Sequence, residues 1–218
     1  MREYPKINSI FKRDKKTSKF IIPEWTLPEF EYLRLNRWVW TEKINGTNIR
    51  VKWWSQLDDL VEEYPFVEFD GKTDETQMHT SLIKKLQRTF VEKRLLKAFP
   101  DPVNVCLYGK GYGAKIEKGG GNYRPDVDFI LFDVKIKEWW LRREDVEDIA
   151  QKLEIDVVPI IGEGTLWEAI EMTKKGFNST FGDFLAEGMV LQPKVDLMLR
   201  NGGRVITKLK YKDFQQEK

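Results

Sequence analysis

Three lysines have the residue type and spacing best suited to chemistry. Lys208 and Lys210 lie two residues apart in a run typical of a strand, so their side chains leave the same face. Two neighbouring ammonium groups repel each other unless an anion lies between them, and a polyphosphate fits that need. Lys43 lies just before a turn at Gly46, and its amine is a nucleophile only when neutral, which nearby cations or desolvation favour. For each lysine taken alone, a solvated surface position is the alternative.

The composition excludes several other kinds of site. The 218 residues carry 37 Lys and Arg against 35 Asp and Glu, and the net charge of +2 does not demand a nucleic-acid partner. The single cysteine, Cys106, excludes an intramolecular disulfide and a cysteine-built zinc cluster, and His79 is the only histidine. We assign neither residue a role. Without an apolar run long enough to span a membrane, and without the pattern of a secretory signal, we expect a cytoplasmic protein.

Alternating apolar and polar residues predict strands around the lysines. Ile49, Val51 and Trp53 alternate with polar residues after the Gly46 turn, which places Lys43 at the junction of two strands. Further strands are predicted over residues 103–107, 128–133, 187–191 and 204–210, the last two joined through residues 201–203.

Helical periodicity predicts three helices. One amphipathic helix with a basic outer face is expected over residues 76–99, and a second is expected around residues 146–153. The third begins at Thr165, whose spacing to Glu168 forms a capping box, and ends near Gly176. The irregular order of strands and helices favours an α+β fold with largely antiparallel sheet.

A glycine-rich segment follows the strand at residues 103–107. It contains neither the dinucleotide fingerprint nor a Walker sequence, so taken alone it is interpreted as a flexible surface loop. Its glycines are Gly109, Gly111, Gly113, Gly119, Gly120 and Gly121.

Four short motifs, in order along the chain, resemble those of one superfamily. They are Glu42-Lys-Ile-Asn-Gly-Thr-Asn48, Asp128-Phe-Ile-Leu-Phe-Asp133, Glu187-Gly-Met-Val190 and Lys208-Leu-Lys210. The set is similar to that of the covalent nucleotidyltransferases, which include ATP-dependent DNA ligases, RNA ligases and mRNA capping enzymes. The Glu-Lys-x-x-Gly-x-Asn form looks like the RNA ligase branch that seals nicks in duplexes. One motif alone would be weak, but the ordered set spans most of the chain.

The resemblance implies a fold and a domain organisation. The fold is the nucleotidyltransferase fold of ligase adenylation domains, with antiparallel sheets flanked by helices and the nucleotide between them. A single adenylyltransferase domain over residues 1–218 is expected, with residues 1–35 as a basic lead-in and without a C-terminal OB-fold or helical domain. We expect a monomer, located in the host cytoplasm if the protein is viral.

The resemblance also implies a three-step reaction and the residues that perform it. Lys43 would attack the α-phosphorus of ATP to give lysyl-AMP, AMP would pass to a 5′-phosphate end, and a 3′-hydroxyl would then attack that end. Phe132 would stack on adenine, and Glu187 would contact Mg²⁺ (or Mn²⁺) or the ribose. Lys43, Lys208 and Lys210 would be catalytic, and the nucleotide would be bound by Glu42, Lys43, Ile44, Gly46, Asn48, Lys72, Lys110, Phe132, Glu187, Lys208 and Lys210.

Two positions depart from the family pattern. Lys72 stands where the family usually has an arginine, which keeps the charge but loses the bidentate fork. Lys110 stands where the family has a glutamate that reaches the ribose hydroxyls, and an ammonium group cannot accept their hydrogen bonds. Either Glu117 or another acid substitutes, or Lys110 is an introduced substitution, or activity is impaired.

Three functions therefore stay open. The first is an ATP-dependent polynucleotide ligase that acts on 5′-phosphate and 3′-hydroxyl ends, preferring nicked duplexes that contain RNA. The second is a capping-type guanylyltransferase, which would use GTP. The third is a catalytically impaired relative that binds nucleic acid, and Lys110 is the residue that supports it.

Overall fold

The computed structural model describes residues 3–54, 66–71, 78–101 and 103–215. The chain folds into two compact units. Unit 1 comprises Met1–Tyr4 and Asn45–Val158, and unit 2 comprises Pro5–Ile44 and Pro159–Lys218. No helix among the described residues is long and apolar enough to cross a membrane.

The strands and helices follow one another irregularly along the chain, as an α+β fold requires. The strands are β1 (Asn8–Ser9), β2 (Phe11–Arg13), β3 (Phe20–Trp25), β4 (Trp38–Glu42), β5 (Thr47–Trp54), β6 (Phe66–Asp70), β7 (Asn104–Gly113), β8 (Val127–Ile136), β9 (Trp139–Trp140), β10 (Asp156–Val157), β11 (Ile160–Gly164), β12 (Gly188–Pro193) and β13 (Thr207–Lys210). The α-helices are α1 (Pro28–Tyr32), α2 (Thr80–Thr89), α3 (Glu92–Ala98), α4 (Arg143–Leu153) and α5 (Leu166–Lys175).

Unit 1 is built on one sheet with strand order β10-β8-β7-β5-β6, and β9 pairs with β8. All its pairs are antiparallel except β10 with β8. Apolar residues of β5, β7 and β8 pack with α2, α3 and α4 into one core, which includes Val51, Leu107 and Leu131. Because side chains alternate along a strand, the intervening residues leave the opposite face, where Arg50 and Lys52 are also buried and pair with Asp70.

Unit 2 is built on a sheet with strand order β1-β13-β12-β4-β11. Among the described strands of this sheet, β1 and β13 run parallel and the other pairs are antiparallel. Apolar residues of β4, β12 and β13 pack against α5, and the two-stranded β2–β3 sheet belongs to the same unit. Within residues 1–35, the expected basic lead-in, the chain forms β1, β2, β3 and α1 and contributes Ile10, Phe11 and Phe30 to this core.

Most predicted elements are confirmed. The alternation after Gly46 becomes β5, and the apolar run at residues 128–133 becomes part of β8. The capping box is present, since the Thr165 side chain accepts from the Glu168 backbone and the Glu168 side chain accepts from the Thr165 backbone. Residue Gly176 ends that helix as expected. The final strand is shorter than predicted and begins only at Thr207.

The prediction of one helix over residues 76–99 is wrong. The structure places two helices there, with Phe90 and Val91 in non-helical conformations between them. The apolar positions explain the break, because Leu86 and Phe90 continue a spacing of four, whereas Leu95 does not. Because α2 ends at Thr89, both Phe90 and Leu95 reach the core.

The interpretation of the whole glycine-rich segment as a flexible loop is also wrong. Gly109, Gly111 and Gly113 are residues of β7, and the loop begins after them. A β-carbon at Gly109 would overlap the ring of Phe129 on the neighbouring strand, so the position requires glycine. Glycine here permits close packing of strand and ring.

Candidate active site

In unit 2, Glu187 joins two of the predicted catalytic lysines. Its Oε2 lies 2.6 Å from Nζ of Lys43, and its Oε1 lies 2.9 Å from Nζ of Lys210. The side chains retain 15%, 20% and 25% exposure for Lys43, Glu187 and Lys210, so the cluster is largely withdrawn from solvent but can be reached. The cluster therefore carries two cations on one anion and a net positive charge.

Strand register brings these three residues together. Lys43 directly follows β4, and its backbone N–H donates to the carbonyl of Gly188 at 3.0 Å. Gly188, which opens β12, pairs with Lys210 on β13. A β-carbon at Gly188 would overlap the carbonyl of Leu209, and its φ of 150° lies outside the range that other residues commonly adopt. The glycine of the Glu-Gly motif thus lets β12 and β13 approach closely beside Glu187.

Burial and charge shift the ionisation of this cluster. Burial lowers the pKa of Lys43 below the ordinary lysine value, Glu187 opposes that effect, and Lys210 and Lys212 add to it. Burial alone would raise the pKa of Glu187, but Lys43 and Lys210 outweigh it, so its pKa is lowered. A lysine with a lowered pKa is neutral in a larger fraction of molecules and is a better nucleophile.

Lys208 lies on the same strand as Lys210, and the intervening Leu209 faces the core, as the spacing predicts. Burial lowers the pKa of Lys208, and Lys210 and Lys43 lower it further. Among the residues that the structure describes, no carboxylate forms an ion pair with Lys208. An anion that entered this cluster could therefore bind the ammonium group of Lys208, which pairs with no described carboxylate. It could also bind those of Lys43 and Lys210, which share the single carboxylate of Glu187.

Glu42, the acid of the first motif, is bonded to residues outside the cluster. It is 1% exposed, and its two carboxylate oxygens accept from Oγ of Ser179 (2.5 Å) and from the backbone N–H (2.8 Å) and hydroxyl (2.7 Å) of Thr180. Ile44, two residues further along the same motif, is 2% exposed. These contacts hold the end of β4, and a direct role of Glu42 or Ile44 toward a nucleotide stays a prediction. Sequence reasoning missed Ser179 and Thr180, which lie far from Glu42 along the chain.

In unit 1, the turn after Lys43 is held by Lys110. Nζ of Lys110 donates to the carbonyl of Gly46 at 2.9 Å, and Lys110 pairs with Asn48 across β5 and β7. The lysine in place of the family glutamate therefore has a structural consequence, because only a donor can bind that carbonyl. Glu117, the acid considered as a substitute for that glutamate, is exposed on the loop after β7, and this role stays a hypothesis.

Phe132 of β8 lies in an aromatic cluster that the sequence did not reveal. The ring of Tyr4 contacts Phe132, Tyr108 and Trp140 edge-on, at centroid distances of 5.0, 5.2 and 5.5 Å. The hydroxyl of Tyr4 donates to Oδ2 of Asp133 at 2.8 Å. Tyr4 thereby fixes the surroundings of the ring predicted to stack on adenine.

The single histidine and the single cysteine occupy structural positions. His79 caps the N-terminus of α2, where its side chain accepts from the backbone N–H of Ser81. Cys106 is fully buried in β7. Lys72, the other departure from the family pattern, lies outside the described residues.

The donor atoms fit a divalent metal only in part. Among the described residues, no three His, Cys, Asp or Glu side chains come together. Glu187 is the acid of the lysine cluster, and magnesium commonly binds through one or two carboxylates, substrate phosphates and water. A metal held mainly by a nucleotide and touched by Glu187 is compatible with this donor set.

Comparison with known proteins places the chain among RNA ligases. The RNA ligase family model matches residues 36–210, which contain all four motifs. A search of curated protein sequences finds no match.

Solved structures of the Naegleria gruberi RNA ligase share the fold. A mutant in the apo form has a TM-score of 0.63 and 17% identity, covering 95% of this chain and 57% of that one. A mutant with ATP and Mn has a TM-score of 0.64 and 17% identity, covering 96% of this chain and 64% of that one. A second mutant with ATP and Mn has a TM-score of 0.62 at the same identity, covering 95% and 57%.

This chain therefore spans less than two thirds of the length of those structures. At 17% identity, the similarity shows a shared fold. The combination of helices with largely antiparallel sheets, together with the match to these structures, confirms the predicted fold class. Because the family model extends from before the Lys43 motif to the Lys-x-Lys strand, this chain belongs to the RNA ligase family.

Proposed function

We propose that this chain is an ATP-dependent polynucleotide ligase that joins RNA ends through a lysyl-AMP intermediate at Lys43. The proposal rests on the cluster in unit 2. There Lys43 and Lys210 both pair with Glu187. No carboxylate of the described residues forms an ion pair with Lys208. Membership of the RNA ligase family and the fold shared with ATP-bound ligase structures support it.

In the first step, the neutral amine of Lys43 attacks the α-phosphorus of ATP. A nitrogen–phosphorus bond forms, the bond between the α-phosphorus and the α–β bridging oxygen breaks, pyrophosphate leaves with that oxygen, and the nitrogen releases one proton to water. Burial lowers the pKa of Lys43 and so increases the neutral fraction. Lys208 and Lys210 face the same side of β13 and stabilise the negative charge of the triphosphate in the transition state.

In the following steps, AMP passes from Lys43 to a polynucleotide 5′-phosphate, and a 3′-hydroxyl attacks that activated end and releases AMP. The substrate proposed is a nicked duplex that contains RNA. This preference rests on the Glu-Lys-x-x-Gly-x-Asn form of the first motif and on the RNA ligase family match.

A divalent metal, Mg²⁺ or Mn²⁺, would neutralise phosphate charge and polarise the reacting phosphoryl group. Glu187 is the residue of the cluster that could touch it. When the nucleotide binds, its phosphates compete with Glu187 for the ammonium groups of Lys43 and Lys210. Glu187 would then be released toward the metal.

Intact-protein mass spectrometry after incubation with ATP and magnesium tests the proposal. The sample is first stripped of bound AMP, and Lys43→Ala serves as the control, with its fold checked by circular dichroism. We expect a mass gain of one AMP moiety that the control lacks and that added pyrophosphate reverses. An adduct with GTP alone would favour a capping-type guanylyltransferase.

The absence of any adduct in a folded sample would contradict the enzyme proposal. The second candidate function would then be nucleic-acid binding by a catalytically impaired relative. Lys110 is the observation that favours this candidate, because its ammonium binds the Gly46 carbonyl where the family pattern has an acid. Binding of a nicked duplex without covalent AMP is its expected signature.

A further inference from the structure

The loop between β7 and β8 is tied to the turn that follows Lys43. We define the glycine loop as residues 114–124. Its Tyr123 hydroxyl accepts from the backbone N–H of Asn45 at 3.2 Å, and its Lys118 carbonyl accepts from the Asn45 side-chain amide at 3.2 Å. Asn45 lies two residues after Lys43 in the sequence, so the loop is bonded to the same short connection that carries the predicted nucleophile.

The glycine loop has a defined shape. The N–H of Ala114 donates to the carbonyl of Asp126 at 2.9 Å, and the N–H of Gly120 donates to the carbonyl of Glu117 at 2.9 Å. Tyr123 is only 9% exposed, and its ring meets that of Tyr112 edge-on. A site whose backbone is already ordered loses less conformational entropy when a ligand binds.

The acids at the base of the loop are already neutralised. Arg124 forms ion pairs with both Asp126 and Asp128, and Lys85 of α2 also pairs with Asp128 at 3.0 Å. Little negative potential from this group therefore remains to offset the lysines of the loop.

The tip of the glycine loop presents positive charge and open backbone. Lys115 and Lys118 are exposed, and no carboxylate of the described residues forms an ion pair with either. Glu117 is the one acid within residues 114–124, so the loop has an excess of cations. A β-carbon at Gly121 would meet no atom within 4 Å, so a phosphate oxygen could approach the backbone there.

We propose that the glycine loop binds the phosphate backbone of the polynucleotide substrate through Lys115 and Lys118, beside the turn that follows Lys43. This inference rests on the proposed function and adds to it the surface that receives the nucleic acid. The proposed ligand is a polynucleotide and not ATP, because the lysine cluster of unit 2 is the site proposed for the triphosphate of ATP. In that cluster no described carboxylate pairs with Lys208. Exposed lysines on an ordered loop suit a long, regularly charged polyanion, which releases counterions on binding.

The test compares two double variants with the same change of charge. Lys115→Ala/Lys118→Ala removes the loop cations, and Lys93→Ala/Lys97→Ala removes two exposed cations of α3 in the same unit. Binding of a nicked RNA duplex is titrated at several salt concentrations, and the slope of log affinity against log salt is recorded. We expect the loop variant to lower the magnitude of that slope by about 1 to 2 and the α3 variant to leave it near the wild-type value.

Each outcome decides the proposal. Equal slopes for the two double variants would overturn it. A slower formation of lysyl-AMP in the loop variant, without polynucleotide present, would assign the loop to the ATP phosphates and would also overturn it. The wild-type protein could form no AMP adduct while the loop variant still shows a smaller slope of log affinity against log salt than the wild type. That result would contradict the proposed ligase activity but support the proposed binding surface.

Discussion

Nζ of Lys43 lies 2.6 Å from Oε2 of Glu187, so the predicted nucleophile is held in an ion pair. The same carboxylate binds Lys210 through its other oxygen. Lys43 is therefore poised between two influences on its pKa, since Glu187 favours the charged form and burial with Lys210 disfavours it. The balance between them predicts how the reaction depends on pH.

Glu187→Gln should shift the pH profile of lysyl-AMP formation to lower pH. Glu187 raises the pKa of Lys43, so its removal lowers that pKa further, and the neutral amine then predominates at a lower pH. The maximal rate should also fall, because Glu187 belongs to the reacting cluster. Single-turnover rates measured by intact mass across a pH series test this.

Lys210→Met should shift the same profile in the opposite direction. Lys210 lowers the pKa of Lys43 and also competes for Glu187, so its loss raises the pKa of Lys43. The two variants are each other's control. A shift in the same direction for both would contradict the opposing effects of Glu187 and Lys210 on the pKa of Lys43.

Lys110→Met should destabilise unit 1 and slow lysyl-AMP formation. The substitution removes the hydrogen bond to the Gly46 carbonyl, worth about 1 kcal/mol of unfolding free energy, and loosens the turn after Lys43. Urea unfolding and single-turnover adenylylation measure the two effects. Lys110→Glu restores the residue of the family pattern but cannot donate to that carbonyl, so we expect it to adenylylate no faster than wild type. A faster Lys110→Glu variant would show that Lys110 impairs the site.

Gly109→Ala should destabilise the protein by about 1 to 3 kcal/mol, because the added methyl group overlaps the Phe129 ring in a packed core. Gly121→Ala is the matched control, since its β-carbon meets no atom within 4 Å. We expect the control to change the unfolding free energy by less than about 0.5 kcal/mol. Similar urea midpoints for the two variants would contradict the close packing of β7 on β8.

Tyr4→Phe and Tyr4→Ala separate the two contacts of Tyr4. Phenylalanine loses the hydrogen bond to Asp133, at a cost of about 1 kcal/mol, whereas alanine also loses the edge contacts with Phe132 and its neighbours. If Phe132 stacks on adenine, Tyr4→Ala should raise the KM for ATP more than it lowers kcat. An unchanged KM in a folded Tyr4→Ala protein would remove Phe132 from the nucleotide site.

Local patterns were sufficient to predict much of the fold. The period of two in residues 47–54 predicted β5, and the Thr165–Glu168 spacing predicted the start of α5, because each signal depends on residues close together in sequence. The lysine spacing at Lys208 and Lys210 predicted a shared face for the same reason. The order of the motifs predicts that Lys43 and Glu187 belong to the same nucleotide site, and strand register brings them into contact.

The remaining features depend on contacts between distant residues, which no local pattern encodes. Tyr4 meets Asp133 across 129 positions, and Glu42 meets Ser179 across 137. The spacing of four predicts a helix that continues past Phe90, but Phe90 already packs in the core and the helix ends before it. The glycine spacing of β7 does not predict a strand, because the ring of Phe129 that requires Gly109 lies on another strand.

The two residues of β1 cover the outer edge of the strand that carries Lys208 and Lys210. Ser9 pairs with Lys208 in parallel register, and the hydroxyl of Thr207 donates to the carbonyl of Asn8. A deletion of the first ten residues would leave the backbone of β13 as an open edge, and open edges recruit strands from other molecules. Forms of this protein that lack β1 should therefore self-associate through the Lys-x-Lys strand, and self-association there would look like a loss of activity.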